Sequence, residues 1–243
     1  MNYKDILINE YKNSIHGGLY ELTQIILAYN SNKIEGSRLT EEQTRDLFKT
    51  KCLISTEEDQ IFRSVDIEEM NGHFYMFNKM IDTLNDNLSE NLIKSFHYCL
   101  KSGVFSDKLN GYNIGEYKSI PNIVGDIVTA NPKNVSKEMK ELLNSYNKSD
   151  KTFEDIIDFH VKYETIHPFQ DGNGRTGRII MFRESLTNLN QPIVIEDDTK
   201  LKYYRGLNEY RKGNKEYLLN YCKDCQDFYI NKMKNLKYNV NWN

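Results

Sequence analysis

Apolar side chains recur three and four residues apart along most of the chain, the period of helices that bury one face. Leu22, Ile25, Ile26 and Tyr29 form one such stripe, which runs on to Ile34 and is broken by Gly36 and Ser37, so a helix is expected to end near Gly36. Thr40 and Gln43 have capping-box spacing: the threonine accepts from a free amide of the next helix and the glutamine reaches back. Helical patterns follow over 61–84 and 88–100. From 111 to 132 the pattern changes to Gly, Asn and β-branched residues. Two apolar pieces there, 120–124 and 127–128, flank Gly125 and Asp126 and predict a short β-hairpin projecting from the helices. Phe153, Ile156, Ile157, His160, Val161 and Glu164 mark a helix stopped by Pro168; 175–186 reads as the next, with a Gly-rich loop between them. The chain has only 4 prolines. The fold class expected is therefore all-α, mainly helical, with one short β-hairpin.

Length and charge narrow this little. The 243 residues carry 32 Lys and Arg against 35 Asp and Glu, a net formal charge of -3, which provides no field to draw the whole protein onto nucleic acid or an anionic membrane. No apolar run is long enough to span a bilayer, and the N-terminal residues mix acids and bases, unlike a signal peptide. A cytoplasmic protein with reduced thiols is expected, because Cys52, Cys99, Cys222 and Cys225 are too few and too unevenly spaced for a disulfide framework. Cys222 and Cys225 fall on the stripe Leu218, Tyr221, Cys222, Cys225, Phe228 and read as core, and His97 and His160 lie on apolar faces as hydrogen-bonded core histidines. There is no internal repeat, low-complexity run or linker. One compact unit is expected, made of an N-terminal helical region (1–87), a core (88–230) and a tail (231–243).

The chemistry concentrates in HPFQDGNGRTGR, residues 167–178. A histidine at one helix end is followed by an acid and glycines in a loop, then by two arginines expected in the first turn of the next helix. Free amides at a helix N-terminus and in a Gly-rich turn point at negative charge, and the helix dipole adds to the attraction, so phosphate is the natural ligand. Arg175 and Arg178, three residues apart, share a helix side and can each grip phosphoryl oxygens through a forked guanidinium. Asp171 is a hard oxygen ligand near that cradle, suited to Mg²⁺, which binds through one or two carboxylates plus substrate phosphates. His167 can take a proton from an incoming hydroxyl near neutral pH.

This run resembles the signature of the Fic family: His-Pro-Phe, any residue, Asp or Glu, Gly-Asn, Gly or Lys, Arg, two residues, Arg. Every specified position matches. The likeness extends over about 30–228. It implies a helical Fic fold and a protein adenylyltransferase, a nucleotidyltransferase that uses Mg²⁺ or Mn²⁺ to move AMP from ATP onto a Ser, Thr or Tyr hydroxyl of a protein. On that resemblance His167 deprotonates the hydroxyl, Phe169 anchors the loop, and Asp171 holds the metal against the α- and β-phosphates. Gly172, Asn173 and Gly174 form the anion hole, while Arg175 and Arg178 secure the β- and γ-phosphates. Asn122, Ile123, Val124 and Gly125 correspond to the family's flap, which aligns a target segment by backbone pairing. Tyr203 and Tyr204 fall on a later helix where the family places groups around the adenine. Arg211 stands where similar members carry a small polar residue such as asparagine.

SNKIEG, residues 31–36, places Ser31 and Glu35 one helical turn apart. It resembles the family's inhibitory motif, Ser or Thr, three residues, Glu, then Gly or Asn, and its N-terminal position implies a class II member. Glu35, with Ser31 and Gly36 framing it, would then reach Arg178 and occupy donors meant for the γ-phosphate. Ser37 follows where asparagine is common in relatives. The fold admits other readings: transfer of another phosphate-containing group, removal of AMP with Glu35 orienting a water, or nucleotide binding without turnover. The partners expected are ATP, a target protein at the flap, the chain itself as a substrate and a second copy in a homodimer, with no nucleic acid and no membrane.

Overall fold

The structure is a computed structural model that describes residues 1–55, 60–124, 127–235 and 240–242. The described elements run α1 (Tyr3–Lys12), α2 (Leu19–Ile34), α3 (Glu41–Thr50), α4 (Ser64–Asp82), α5 (Glu90–Lys101) and α6 (Phe105–Leu109). They continue with β1 (Ile123–Val124), β2 (Ile127–Val128), α7 (Pro132–Lys148), α8 (Phe153–Ile166) and α9 (Asn173–Leu189). A 3-10 turn (Asp197–Thr199), α10 (Lys200–Arg211) and α11 (Glu216–Asn235) complete the order. The fold is mainly helical, and no described helix is long and apolar enough to cross a membrane.

Local sequence accounts for several boundaries. Gly36 takes a left-handed conformation (φ 91°) just past the end of α2, where a side chain would be strained. Thr40 Oγ1 accepts from Gln43 N at 3.1 Å and Gln43 Oε1 from Thr40 N at 3.0 Å, so α3 opens with the expected capping box. At the other end of the core, α9 is buried on every side and packs against α1, α2, α4, α5 and α8. It starts at Asn173 rather than near Arg175, which puts Arg175 in its first turn and Arg178 in its second. Arg183, fully buried on α9, pairs with Glu184 and donates to the Thr83 and Asp86 carbonyls, while Glu184 accepts from Tyr146 at 2.8 Å. This polar knot, in which Arg183 Nε is left without a partner, fixes α9 to the end of α4 and to α7.

One hydrophobic core includes side chains from Tyr3 to Trp242, and a smaller cluster of Ala28, Leu39, Leu47, Met70 and Phe74 seats α3 on α2 and α4. The Tyr3 ring stacks on Trp242 (centroids 4.8 Å apart) and its hydroxyl is 2.7 Å from that of Tyr229, joining the two ends of the described chain.

The projecting hairpin expected over 120–128 is not formed at that length. Pairing is confined to two residues on each side, Ile123 with Val128 and Val124 with Ile127, antiparallel. Pro121 has no amide to donate, and the Asn122 side chain turns inward to the carbonyls of Phe169 (3.1 Å) and Gln170 (3.4 Å), so the leading segment is bound to the loop rather than to a partner strand. Gly125 and Asp126 lie outside the described residues.

Candidate active site

The loop expected to carry the chemistry joins the end of α8 to the start of α9. His167 terminates α8 in the left-handed conformation (φ 52°, ψ 63°), with its amide still bonded to Tyr163 O at 2.9 Å. This turns the chain sharply, so that Pro168 and Phe169 leave across the end of the helix. Phe169 is fully buried and stacks on the His97 ring, 3.9 Å between centroids and 1° between planes. His97 is itself held, Nε2 against Asp171 O at 3.1 Å and Nδ1 accepting from Gly115 N at 2.9 Å. Asn173 closes the loop on itself: its Oδ1 accepts from Phe169 N and its Nδ2 donates to Phe169 O, both at 2.8 Å. Its side chain is therefore spent on loop shape. What it offers an anion is backbone only.

Gly172 caps α9 with a left-handed backbone (φ 78°), and no side chain caps the first-turn amides. Those N–H groups and the helix dipole make an anion cradle. A methyl group at Gly174 would collide with Glu35 Oε1 and lie 3.0 Å from Arg178 Nη1. The Glu35 carboxylate thus already rests against the cradle.

Both arginines are engaged. Arg178, 3% exposed at its side chain, donates from Nε to Ser31 Oγ (3.0 Å) and from Nη2 to Ser31 O (2.9 Å) and Glu35 Oε1 (2.7 Å). Burial works against its charge, but Glu35 outweighs it and holds the guanidinium firmly protonated. Arg175 contacts Glu69 Oε2 at 2.5 Å and Asp171 Oδ2 at 3.3 Å. Lys101, fully buried, completes this group with contacts to Glu69 (2.6 Å), Asp171 (2.6 Å) and Asp107 (2.8 Å). Burial alone would raise the Asp171 carboxyl; Arg175 and Lys101 instead keep it well below its usual range, and Glu69 is lowered by the same two cations against its own burial.

His167 is lowered to about 4, chiefly by burial and next by Lys118, so its imidazole is neutral at pH 7. Glu164, one turn back on α8, is raised to about 7 by burial, and its Oε1 has no hydrogen-bond partner. Gly177 makes room for it, since a Cβ there would overlap Glu164 Oε1. His73 on α4 is buried with both ring nitrogens unpartnered and is lowered to about 3, by burial and then by Arg175 and Arg178.

Tyr203 is buried and bonds His160 Nε2 at 2.7 Å, and Tyr204 is partly exposed with its hydroxyl 3.4 Å from Ile34 O. The half-buried Arg211 donates to Thr165 Oγ1 (3.0 Å) and Asn208 Oδ1 (3.3 Å), both protein partners. Asn122 meets the 167–178 loop at Phe169 O and Gln170 O, the Ile123 side chain is exposed, and for Val124 only the backbone is described. Glu69, Lys101 and Lys118 carry no functional reading in the sequence, and Glu164 reads there only as part of the α8 pattern. Of the first three only Lys101 leaves a trace, as a lysine in phase with the α5 stripe of Ile93, Phe96, His97 and Leu100.

The donor set for a divalent cation is sparse. No group of three or more His, Cys, Asp or Glu among the described residues forms a metal cluster. Asp171 stands alone, its side chain 48% exposed and one oxygen taken by Lys101 and Arg175. Such a donor fits Mg²⁺ that arrives with phosphates and keeps its waters, and does not fit a cation caged by protein alone.

Comparison with known proteins agrees with this geometry. The curated "Protein adenylyltransferase Fic" of Nematostella vectensis is 24% identical over 203 residues, covering 82% of this chain and 46% of its own length. That of Drosophila virilis is 26% identical over 206 residues, covering 82% of this chain and 40% of its own. This chain thus spans less than half the length of these relatives. Among solved structures, a Fic domain containing signaling protein from Bacteroides thetaiotaomicron VPI-5482 superposes with a TM-score of 0.72 at 22% identity, over 92% of each chain. Fic-1 (aa134–508) from C. elegans does so with a TM-score of 0.70 at 19% identity, over 96% of this chain and 74% of that one. Residues 87–184 match the sequence model of the Fic/DOC family, and that segment holds α5, the ladder, the whole 167–178 loop and most of α9.

Proposed function

We propose that this protein is an adenylyltransferase that moves AMP from ATP onto a hydroxyl of a protein, and that Glu35 restrains it. One observation carries the reading. The Glu35 carboxylate rests against Gly174 and Arg178, where an amide cradle and a guanidinium would otherwise meet a phosphate.

In the transfer, the target's hydroxyl oxygen attacks the α-phosphorus of ATP. An O–P bond forms, the bond to the oxygen bridging to the β-phosphate breaks, and pyrophosphate leaves. The hydroxyl proton passes to the neutral imidazole of His167, so AMP stays on the protein. The first-turn amides of α9 at Gly172, Asn173 and Gly174 hold phosphate oxygens, and Arg175 and Arg178 neutralise the rest. Mg²⁺ held by Asp171 and the nucleotide's phosphates would supply further charge neutralisation. A target segment docks beside Asn122, Ile123 and the β1–β2 ladder, with Tyr204 and Arg211 on the base side of the nucleotide. The relatives' printed name and the full signature support this reading.

The test is transfer of label from ATP carrying radioactive α-phosphate, with Mg²⁺, to the protein itself and to a lysate. Glu35→Gly should raise incorporation and His167→Ala should abolish it in that background. Labelling that survives His167→Ala overturns the base assignment, and equal labelling with and without Glu35 overturns the brake.

A further inference from the structure

Lys118 belongs to no motif and no step above, yet it is buried to 3% exposure between the β1–β2 ladder and the 167–178 loop. We infer that Lys118 is a positioning residue for the proposed transfer: it fixes the ladder and His167 as one unit and sets a positive charge beside the imidazole that accepts the proton. The inference rests on the reading of His167 as the base.

The geometry is that of a three-way staple. The ammonium donates to Asn122 Oδ1 and Thr129 Oγ1, both at 2.7 Å, and to Ile166 O at 3.4 Å. Asn122 immediately precedes β1 and Thr129 immediately follows β2, so both feet of the ladder meet on one cation. Thr129 Oγ1 also donates to Asn122 O at 2.8 Å, which locks the feet to each other. Ile166 is the last residue of α8, where outward carbonyls favour a cation. The backbone repeats the linkage on each side of His167: Lys118 N donates to Pro168 O at 2.9 Å, and Ala130 N to Ile166 O at 3.2 Å. Displacing the ladder therefore displaces residues 166 and 168 with it.

The choice of lysine has a second consequence. All three acceptors of its ammonium are neutral oxygens, unlike those of Lys101, which meets three carboxylates. The charge of Lys118 is left largely uncompensated and acts on its surroundings. The charged groups that bear on His167 are Lys118 from the segment before β1, Glu35 from the end of α2 and Asp171 from the loop itself. Lys118 works with burial to keep the imidazole neutral, while Glu35 and Asp171 oppose it. Glu138 on α7 is the charged group that bears on Lys118, whose own value burial lowers to about 8, leaving it protonated at neutral pH.

The test follows the His167 imidazole by NMR titration, and amide exchange at the ladder feet, in the full chain with Lys118→Met, Lys118→Gln and Lys118→Arg. Lys118→Met should raise the His167 midpoint by roughly half a pH unit or more and speed exchange at the feet about tenfold or more. Lys118→Gln keeps an N–H donor without charge, so the midpoint should rise with less loosening of the feet; Lys118→Arg should leave the midpoint low. A His167 midpoint and foot exchange both unchanged in Lys118→Met, or in Lys118→Gln should the methionine variant not fold, overturn the inference. Neither readout depends on turnover. A wild-type protein that labels nothing would count against the proposed transfer while the titration still judges Lys118.

Discussion

Arg178 Nη2 lies 2.7 Å from Glu35 Oε1, and the same nitrogen donates to Ser31 O at 2.9 Å while Nε donates to Ser31 Oγ at 3.0 Å. The buried guanidinium is thus held by the last turn of α2 through three bonds, of which one is to a charge. Under the proposed restraint, nucleotide phosphate must displace that charged bond. A bond to a charged group contributes about 1.5–3 kcal/mol, with about 1.4 kcal/mol to a factor of ten. All three bonds share the guanidinium's charge, but only the Glu35 bond pairs it with an opposite one and so stands at the top of that range. Glu35→Gln, which keeps shape and drops charge, should therefore raise the initial labelling rate about tenfold or more. Ser31→Ala leaves that ion pair in place and should raise it only about twofold to fivefold. Equal effects of the two would mean that the charge is not what restrains the site.

That contact was legible in the sequence because both of its halves are short local patterns, SNKIEG on a helix end and HPFQDGNGRTGR across a turn. Local patterns also placed the α3 capping box and the stop at Gly36. What escaped was assembled from distant positions. Glu69, Lys101 and Asp171 come from α4, α5 and the loop, and nothing in the local spacing of a glutamate on α4 marks it as the partner of Arg175. The hairpin was overread for the opposite reason. Apolar residues over 120–124 suggested a strand, whereas Pro121 and the inward turn of Asn122 gave that backbone other partners.

His167 bears on the pH profile of the proposed transfer. A base lowered to about 4 by burial and Lys118 is already unprotonated at pH 6. Labelling by a Glu35→Gly variant should therefore stay level from pH 6 to 8 as far as this group is concerned. It should decline only as pH falls toward about 4, where the imidazole gains a proton. A half-maximal point near the ordinary histidine value of about 6.5 would show that the imidazole is not shielded in this way.

The Glu69, Lys101, Asp171 and Arg175 group predicts acid sensitivity. Glu69 and Asp171 both have folded values below their ordinary ones, against their own burial, because Arg175 and Lys101 lie beside them. A depressed carboxyl contributes stability that is full above its unfolded value, about 4, and lost as pH falls through the lowered folded value. Thermal unfolding should thus move to lower temperature below about pH 4. Lys101→Met strands Asp107 beside an apolar side chain and leaves Glu69 and Asp171 to Arg175 alone. It should cost about 2–4 kcal/mol at pH 7 and weaken the acid dependence, as measured by denaturant unfolding at several pH values.

Glu164 predicts the opposite trend at the alkaline end. Burial raises its carboxyl to about 7, Glu35 adds to this, and Arg178 and Arg211 oppose it, so the folded state holds its proton more tightly than the unfolded chain does. The stability this gives is full below the unfolded value of about 4.3 and is lost as pH rises through about 7. Above that, a charged oxygen is enclosed at Gly177 without a hydrogen-bond partner. Glu164→Gln keeps the shape and cannot ionise. It should be more stable than the parent by about 1–2 kcal/mol at pH 8, with the difference shrinking toward pH 5. Denaturant unfolding at the two pH values measures it, and a constant difference between them would show that Glu164 does not titrate in this range.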